Sequence, residues 1–107
     1  MENNHPLNDL QQLMAITAEE ASELTQVCMK ILRKYKSKDE IESKWQDKLI
    51  EELGDVYCMF DLLLEFGIIE EEKIYNRAQV KRAKLALWST LVQDTPELKQ
   101  LRESEEK

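Results

Sequence analysis

The chain has 107 residues, with 15 basic side chains against 22 acidic ones and a formal net charge of −7. Charged residues make up 35% and hydrophobic ones 42%, with only 2 glycines and 2 prolines. This is the balance of a single helical domain, not of a β-sandwich, a collagen or a disordered tail. The acidic excess also argues against nucleic acid or an anionic membrane as partner.

In chain order, Leu7, Leu10, Leu13, Met14, Thr17, Ala21, Leu24, Val27, Cys28, Ile31 and Tyr35 recur at steps of three and four, which predicts one amphipathic helix over 7–36. Ser37-Lys-Asp-Glu40 breaks it, and 41–45 form a short extra turn. A second helix is predicted over 47–66, with Gly67 at its C-terminal cap. A third is predicted over 70–91, with Glu70, Glu71 and Glu72 in its first turn, where the helix dipole favours acids. Asp94-Thr95-Pro96-Glu97 reads as a fourth helix start, Thr95 capping and Pro96 at the first helical position. The tail RESEEK is expected to fray. No strand signal, repeat or linker interrupts the chain. The expected architecture is all-α, one domain over 1–107 with a core at about 7–92 and a short C-terminal helix and charged tail at 95–107.

The apolar residues of the second helix are unusually widely spread. At 100° per residue, Leu49, Leu53, Val56, Tyr57, Met59, Phe60, Leu63, Leu64 and Phe66 cover roughly 200° of its circumference. A helix facing one core needs only about 100°. Burial on two sides is expected, and a homodimer supplies the second surface.

Several chemistries are excluded by what the chain lacks. His5 is its only histidine and lies near the N-terminus, so Ser-His-Asp or Cys-His nucleophilic catalysis has no placed imidazole. Cys28 and Cys58 have no metal-ligand spacing and are expected to be packing residues. Gly54 and Gly67 make no phosphate loop. The apolar stretch 56–69 is interrupted by Asp61 and Glu65, too polar to span a membrane. The opening MENNHPLNDL has neither the basic nor the apolar block of a signal peptide, so the expected location is the cytoplasm.

Carboxylates carry the remaining signal. With Glu20 at 0°, Leu13, Leu24, Val27 and Ile31 fall within about 40° of it, and Glu23 about 60° to one side. With Glu52 at 0° on the second helix, Val56, Met59 and Leu63 fall within about 40° and Asp55 again about 60° away. Each helix therefore turns an i, i+3 acid pair toward its apolar face. Unpaired buried carboxylates are costly and repel one another. They are tolerated if protonated, if paired with Lys or Arg, if solvated at a rim, or if they hold a hard cation. An oxygen-only donor set suits Mg²⁺, with Mn²⁺ able to substitute.

Glu19-Glu20-Ala-Ser-Glu23 followed by Glu52-Leu-Gly-Asp55 resembles the E-E-x-x-E … E-x-x-D signature of the MazG-like all-α nucleoside triphosphate pyrophosphohydrolases. The surrounding AEEASELTQVCMKILRK and DKLIEELGDVYCMFDLLLE are similar too, so the resemblance covers about residues 7–90. The gap between Glu23 and Glu52 lies at the long end of that family's range. The resemblance implies a MazG-like helical bundle with three main helices plus a short C-terminal helix, tightly paired as a homodimer or dimer of dimers. It also implies cleavage of (d)NTPs between the α and β phosphates to (d)NMP and pyrophosphate, a house-cleaning activity on the nucleotide pool. In that case Glu20, Glu23, Glu52 and Asp55 are the metal ligands, and Glu19 stands outside them or orients the attacking water. Related readings are a dUTP/dCTP-type or a phosphoribosyl-ATP pyrophosphohydrolase. From another class comes a non-catalytic, cation-binding interaction module.

On the third helix Lys73, Arg77, Lys81 and Lys84 lie within about 80° of arc. Lys73 and Arg77 are the leading candidates for triphosphate contacts, with Asn76 a weaker one. An ordinary solvated face, with Glu70 pairing to Lys73, is the alternative. Trp45 and Trp88 each either stack on a nucleobase or pack into the core or a dimer seam. Core suits Trp88 better. Trp45, at an element boundary on the approach to Glu52, is the better stacking candidate.

Overall fold

A computed structural model describes residues 4–105, and all regular structure among them is helical. The helices are α1 (Asp9–Lys34), α2 (Ser43–Glu65), α3 (Glu71–Trp88) and α4 (Pro96–Glu105), with a 3₁₀ turn at Lys38–Glu40 between α1 and α2. The chain divides into two compact units, one ending at Phe66 and the other beginning at Gly67.

In the first unit α1 packs on α2. Asn8 caps α1, accepting the Gln11 N–H at 2.8 Å while Gln11 Oε1 accepts the Asn8 N–H at 3.0 Å. This reciprocal cap starts the helix two residues later than the apolar periodicity suggested. In the connection Glu40 Oε2 accepts the backbone N–H of Lys36 at 2.7 Å and of Ser37 at 3.3 Å, tying the polar segment together. The separate turn expected at 41–45 is not there. Instead α2 begins at Ser43 and takes Trp45 into its first turn, Trp45 N–H donating to Glu42 O at 2.9 Å. The polar start Ser43-Lys-Trp-Gln46 carries no apolar period, which is why periodicity placed the boundary four residues late. α2 ends where Gly67, at φ 71°, adopts the left-handed conformation that favours glycine. Leu13, Val27 and Met59 are buried in this unit.

In the second unit α3 packs on α4. α3 ends at Trp88, short of the expected 91, because Ser89 Oγ donates to Leu85 O at 2.8 Å and accepts the Leu91 N–H at 3.2 Å. α4 starts as expected at Pro96, with Thr95 Oγ1 accepting the Leu98 N–H at 3.2 Å. A helix of 10 residues is marginal alone. Side chains hold this one to α3. Arg102 donates to the Ala83 carbonyl at 2.7 Å and grips both oxygens of Asp94, at 2.9 and 3.0 Å. Glu105 accepts from Arg77 at 2.6 Å and Lys84 at 3.0 Å. The start of the expected frayed tail, 102–105, is thus helical and anchored, and 106–107 lie outside the described residues. Val80 and Ala83 are the buried apolar residues here.

Three packing expectations are corrected. Trp88 is 76% exposed: Val80 and Ala83 set the inward face of α3, and Trp88 lies about 140° around the helix from Ala83. Cys28 and Cys58 are exposed as well, because their neighbours Val27 and Met59 take the inward positions.

Candidate metal centre

Glu20 and Glu23 sit in the middle of α1, and Glu52 and Asp55 in the middle of α2. The i, i+3 spacing puts each pair on one turn, and the packing of the two helices brings the pairs together. One carboxylate oxygen from each of the four residues lies within 4.8 Å of all the others. Glu52 is buried, Glu20 and Glu23 are half-buried, and Asp55 is exposed at the opening.

The electrostatics of the cluster are unfavourable without a counter-charge. Desolvation first, then the Glu23 and Asp55 carboxylates, a hydrogen bond to Glu23 and the nearby Glu19 push the Glu20 carboxyl above its ordinary range. Desolvation also leads for Glu52, with Glu23, Asp55 and Glu51 adding to it. Only Lys48 opposes these, its Nζ 4.0 Å from Glu52 and 3.1 Å from Glu51. One lysine does not balance four acids. Moreover, Glu20 Oε2 and Glu52 Oε2 are both buried without a hydrogen-bond partner. Orphaned acceptors of this kind normally have an ion, a proton or a water as partner.

The donor set fits a hard divalent cation, which takes oxygen ligands. Opposite oxygens stand about 4.0–4.2 Å apart across Mg²⁺ and about 4.6–5.2 Å apart across Ca²⁺, so small side-chain rotations bring the set onto either. All four residues could serve as ligands, leaving further positions for water or a ligand oxygen.

Beside the cluster opens a cleft of about 640 Å³. Its lining includes the acids Glu23, Glu51, Glu52 and Asp55 together with Lys30, Lys44, Trp45 and Lys48. Trp45 is half-buried, with Lys30 Nζ 5.7 Å and Lys34 Nζ 5.9 Å from its ring centroid. Thus Trp45 does lie on the approach to Glu52, from inside α2 instead of ahead of it.

The lysines of the cleft were not among the expected site residues, although a signal for them exists. Lys30 is seven residues after Glu23, Trp45 seven before Glu52 and Lys48 four before Glu52, which places each within about 40° of its acid on the same helix face. Glu19 is exposed and is not one of the four clustered acids. Lys73, Asn76 and Arg77 are exposed on α3, in the second unit. There Lys73 pairs with Glu70 at 3.4 Å, and Arg77 shares Glu105 with Lys84.

Among the described residues no helix is long and apolar enough to cross a membrane. No family model matches the chain, and neither a curated protein nor a solved structure matches it.

Proposed function

We propose that this chain is a Mg²⁺-dependent nucleoside triphosphate pyrophosphohydrolase of the MazG-like all-α type, acting on the free nucleotide pool as a homodimer or dimer of dimers. One observation carries the reading: four carboxylates from two helices converge within 4.8 Å beside a cleft that also gathers lysines. The resemblance of the acid motifs supplies the reaction class, and the cluster is what that chemistry needs.

Glu20, Glu23, Glu52 and Asp55 would hold the cation, which supplies charge neutralisation for the phosphates and a more acidic water. Water adds to the α-phosphorus, the bond to the α–β bridging oxygen breaks, and pyrophosphate departs with that oxygen. The products are (d)NMP, pyrophosphate and one proton. Glu19, at the solvent edge, takes the role of orienting the attacking water or the ligand shell. Lys48, already paired to Glu51 and Glu52, steadies the buried carboxylate. Lys73, Asn76 and Arg77, exposed on α3, remain proposed phosphate contacts, with Arg77 paired to Glu105 in this structure.

Self-pairing is supported by Ile50, Leu53 and Tyr57, a stripe along α2 that is 67%, 49% and 63% exposed. Apolar stripes of this kind mark association surfaces.

Pyrophosphate release from a panel of canonical NTPs and dNTPs, with Mg²⁺ and with chelator, tests the reading. Metal-dependent release from at least one nucleotide is expected. Cation binding with no release from any of them would contradict it in favour of a binding module.

A further inference from the structure

The cleft beside the acids has a direction. The metal-site acids lie midway along both helices, whereas Lys30, Lys44 and Trp45 lie toward the α1–α2 connection. Lys48 stands between, one turn from Glu52, and Lys44 is a further turn on. From Asp55 to Lys44 the helix rises about 16 Å. A chain of net charge −7 thus brings Lys30 of α1 and Lys44 and Lys48 of α2 into the lining of one cleft.

Lys48 is paired with Glu51 at 3.1 Å and lies 4.0 Å from Glu52, whereas Lys30 and Lys44 are not taken up in this way. Among the described residues Lys44 pairs only with Glu42, at 3.8 Å and exposed, and exposed pairs contribute little. Among the described residues no carboxylate pairs with Lys30; its ammonium is held over the Trp45 ring instead. Lys34 approaches the same ring, so the indole is engaged by two cations. An indole so engaged serves to position ammonium groups. That role suits it less to stacking on a nucleobase.

We infer that Lys30 and Lys44, with Trp45 positioning Lys30, form a pyrophosphate-binding end of the cleft, so that the leaving group points toward the α1–α2 connection and the nucleoside away from it. This inference rests on the hydrolase reading and adds to it the polarity of the substrate and a set of leaving-group contacts. The chemistry recognised is a diphosphate lying beside the acids that would hold the cation, with the lysines meeting its outer oxygens as point charges. Lys30 and Lys44 touch none of the four acids in an ion pair, so replacing them leaves the cation ligands in place.

The test is calorimetric titration of the full chain with inorganic pyrophosphate in the presence of Mg²⁺, and separately with a nucleoside monophosphate. Lys30→Ala/Lys44→Ala is expected to weaken pyrophosphate binding by about tenfold or more, the loss of one or two charge-assisted contacts. Monophosphate binding is expected to stay within about twofold, and Lys99→Ala, an exposed lysine in the second unit, to change neither. Circular dichroism of the double variant checks that the helices persist, and Lys44→Ala alone, exposed in the wild type, should give an intermediate loss. Undiminished pyrophosphate binding, or selective loss of monophosphate binding, overturns the inference. Nucleotide hydrolysis that persists beside lysine-independent pyrophosphate binding would remove this inference and leave the enzyme. Lysine-dependent pyrophosphate binding in a chain that hydrolyses nothing would remove the enzyme and leave the site.

Discussion

Glu52 is buried beside the carboxylates of Glu20, Glu23 and Asp55, and its second oxygen has no hydrogen-bond partner. Its carboxyl titrates above the ordinary range, with desolvation as the main cause. A carboxyl whose pKa is higher in the folded chain than in the unfolded one stabilises the fold while protonated. That contribution is complete below the unfolded pKa and is lost as pH rises through the folded one. In chelator, Glu52→Gln should therefore raise the melting temperature at neutral pH, and the gain should shrink to nothing in acid. A variant that melts below the wild type at neutral pH in chelator would contradict this. With cation present the sign reverses, because the wild type gains ligand-linked stability that the variant lacks. The same substitution should lower metal affinity by more than about a hundredfold, since even partners outside the ligand shell are worth about 10–100-fold. At this scale the four acids were legible in the sequence, because angular position on a helix is arithmetic. Lys30, Trp45 and Lys48 obey the same arithmetic, but a search for acids on apolar faces passes over them. Cys28, Cys58 and Trp88 could not be placed that way, because an apolar residue beside the inward stripe declares no side until its partner helix is known.

At the scale of elements, α4 depends on a few charged contacts. Arg102 bonding to Asp94 holds the Asp94 carboxyl below its ordinary range, and Lys84 and then Arg77 do the same for Glu105. Groups with depressed folded pKa values contribute stability above their unfolded pKa and lose it as pH falls through the folded one. Amide protection within α4, followed by hydrogen exchange, is therefore expected to fall as the pH is taken below the ordinary carboxylate range. Protection that is flat across that window would show that the ion pairs do not hold the helix. Thr95→Ala, which removes the cap on Leu98, should cost α4 about 0.5–2 kcal/mol by the same measurement. This start was legible because Thr-Pro-Glu is a local chemical signal. By contrast, the start of α2 at Ser43 was misplaced, since no capping side chain or apolar period announces it, and the end of α3 was set by a single hydroxyl on Ser89.

For the whole molecule, the apolar stripes left open are as informative as the buried ones. Leu13, Val27 and Met59 are covered within the first unit, whereas Ile50, Leu53 and Tyr57 are not. Leu13→Ala should destabilise the chain by about 2–5 kcal/mol in denaturant titrations, as deletion of a buried leucine does. Leu53→Glu, at a half-exposed position, should preserve helicity while shifting sedimentation from the assembled form to the single chain. A wild-type chain that already sediments as a monomer at micromolar concentration would remove the dimer proposal. The width of the apolar face on α2 was readable from the sequence. The division into two units was not, because a glycine cap such as Gly67 ends a helix in the same way whether the next helix packs back on it or starts a separate unit.

The most direct test of the central claim, that four carboxylates on two helices form a cation site, is Mg²⁺ or Mn²⁺ titration of the wild type beside Glu52→Gln and Asp55→Asn. Saturable binding that is lost in both variants, with helicity unchanged, is the result expected from four oxygens within 4.8 Å. Binding of equal strength in all three proteins, or none in the wild type at millimolar cation, would contradict it.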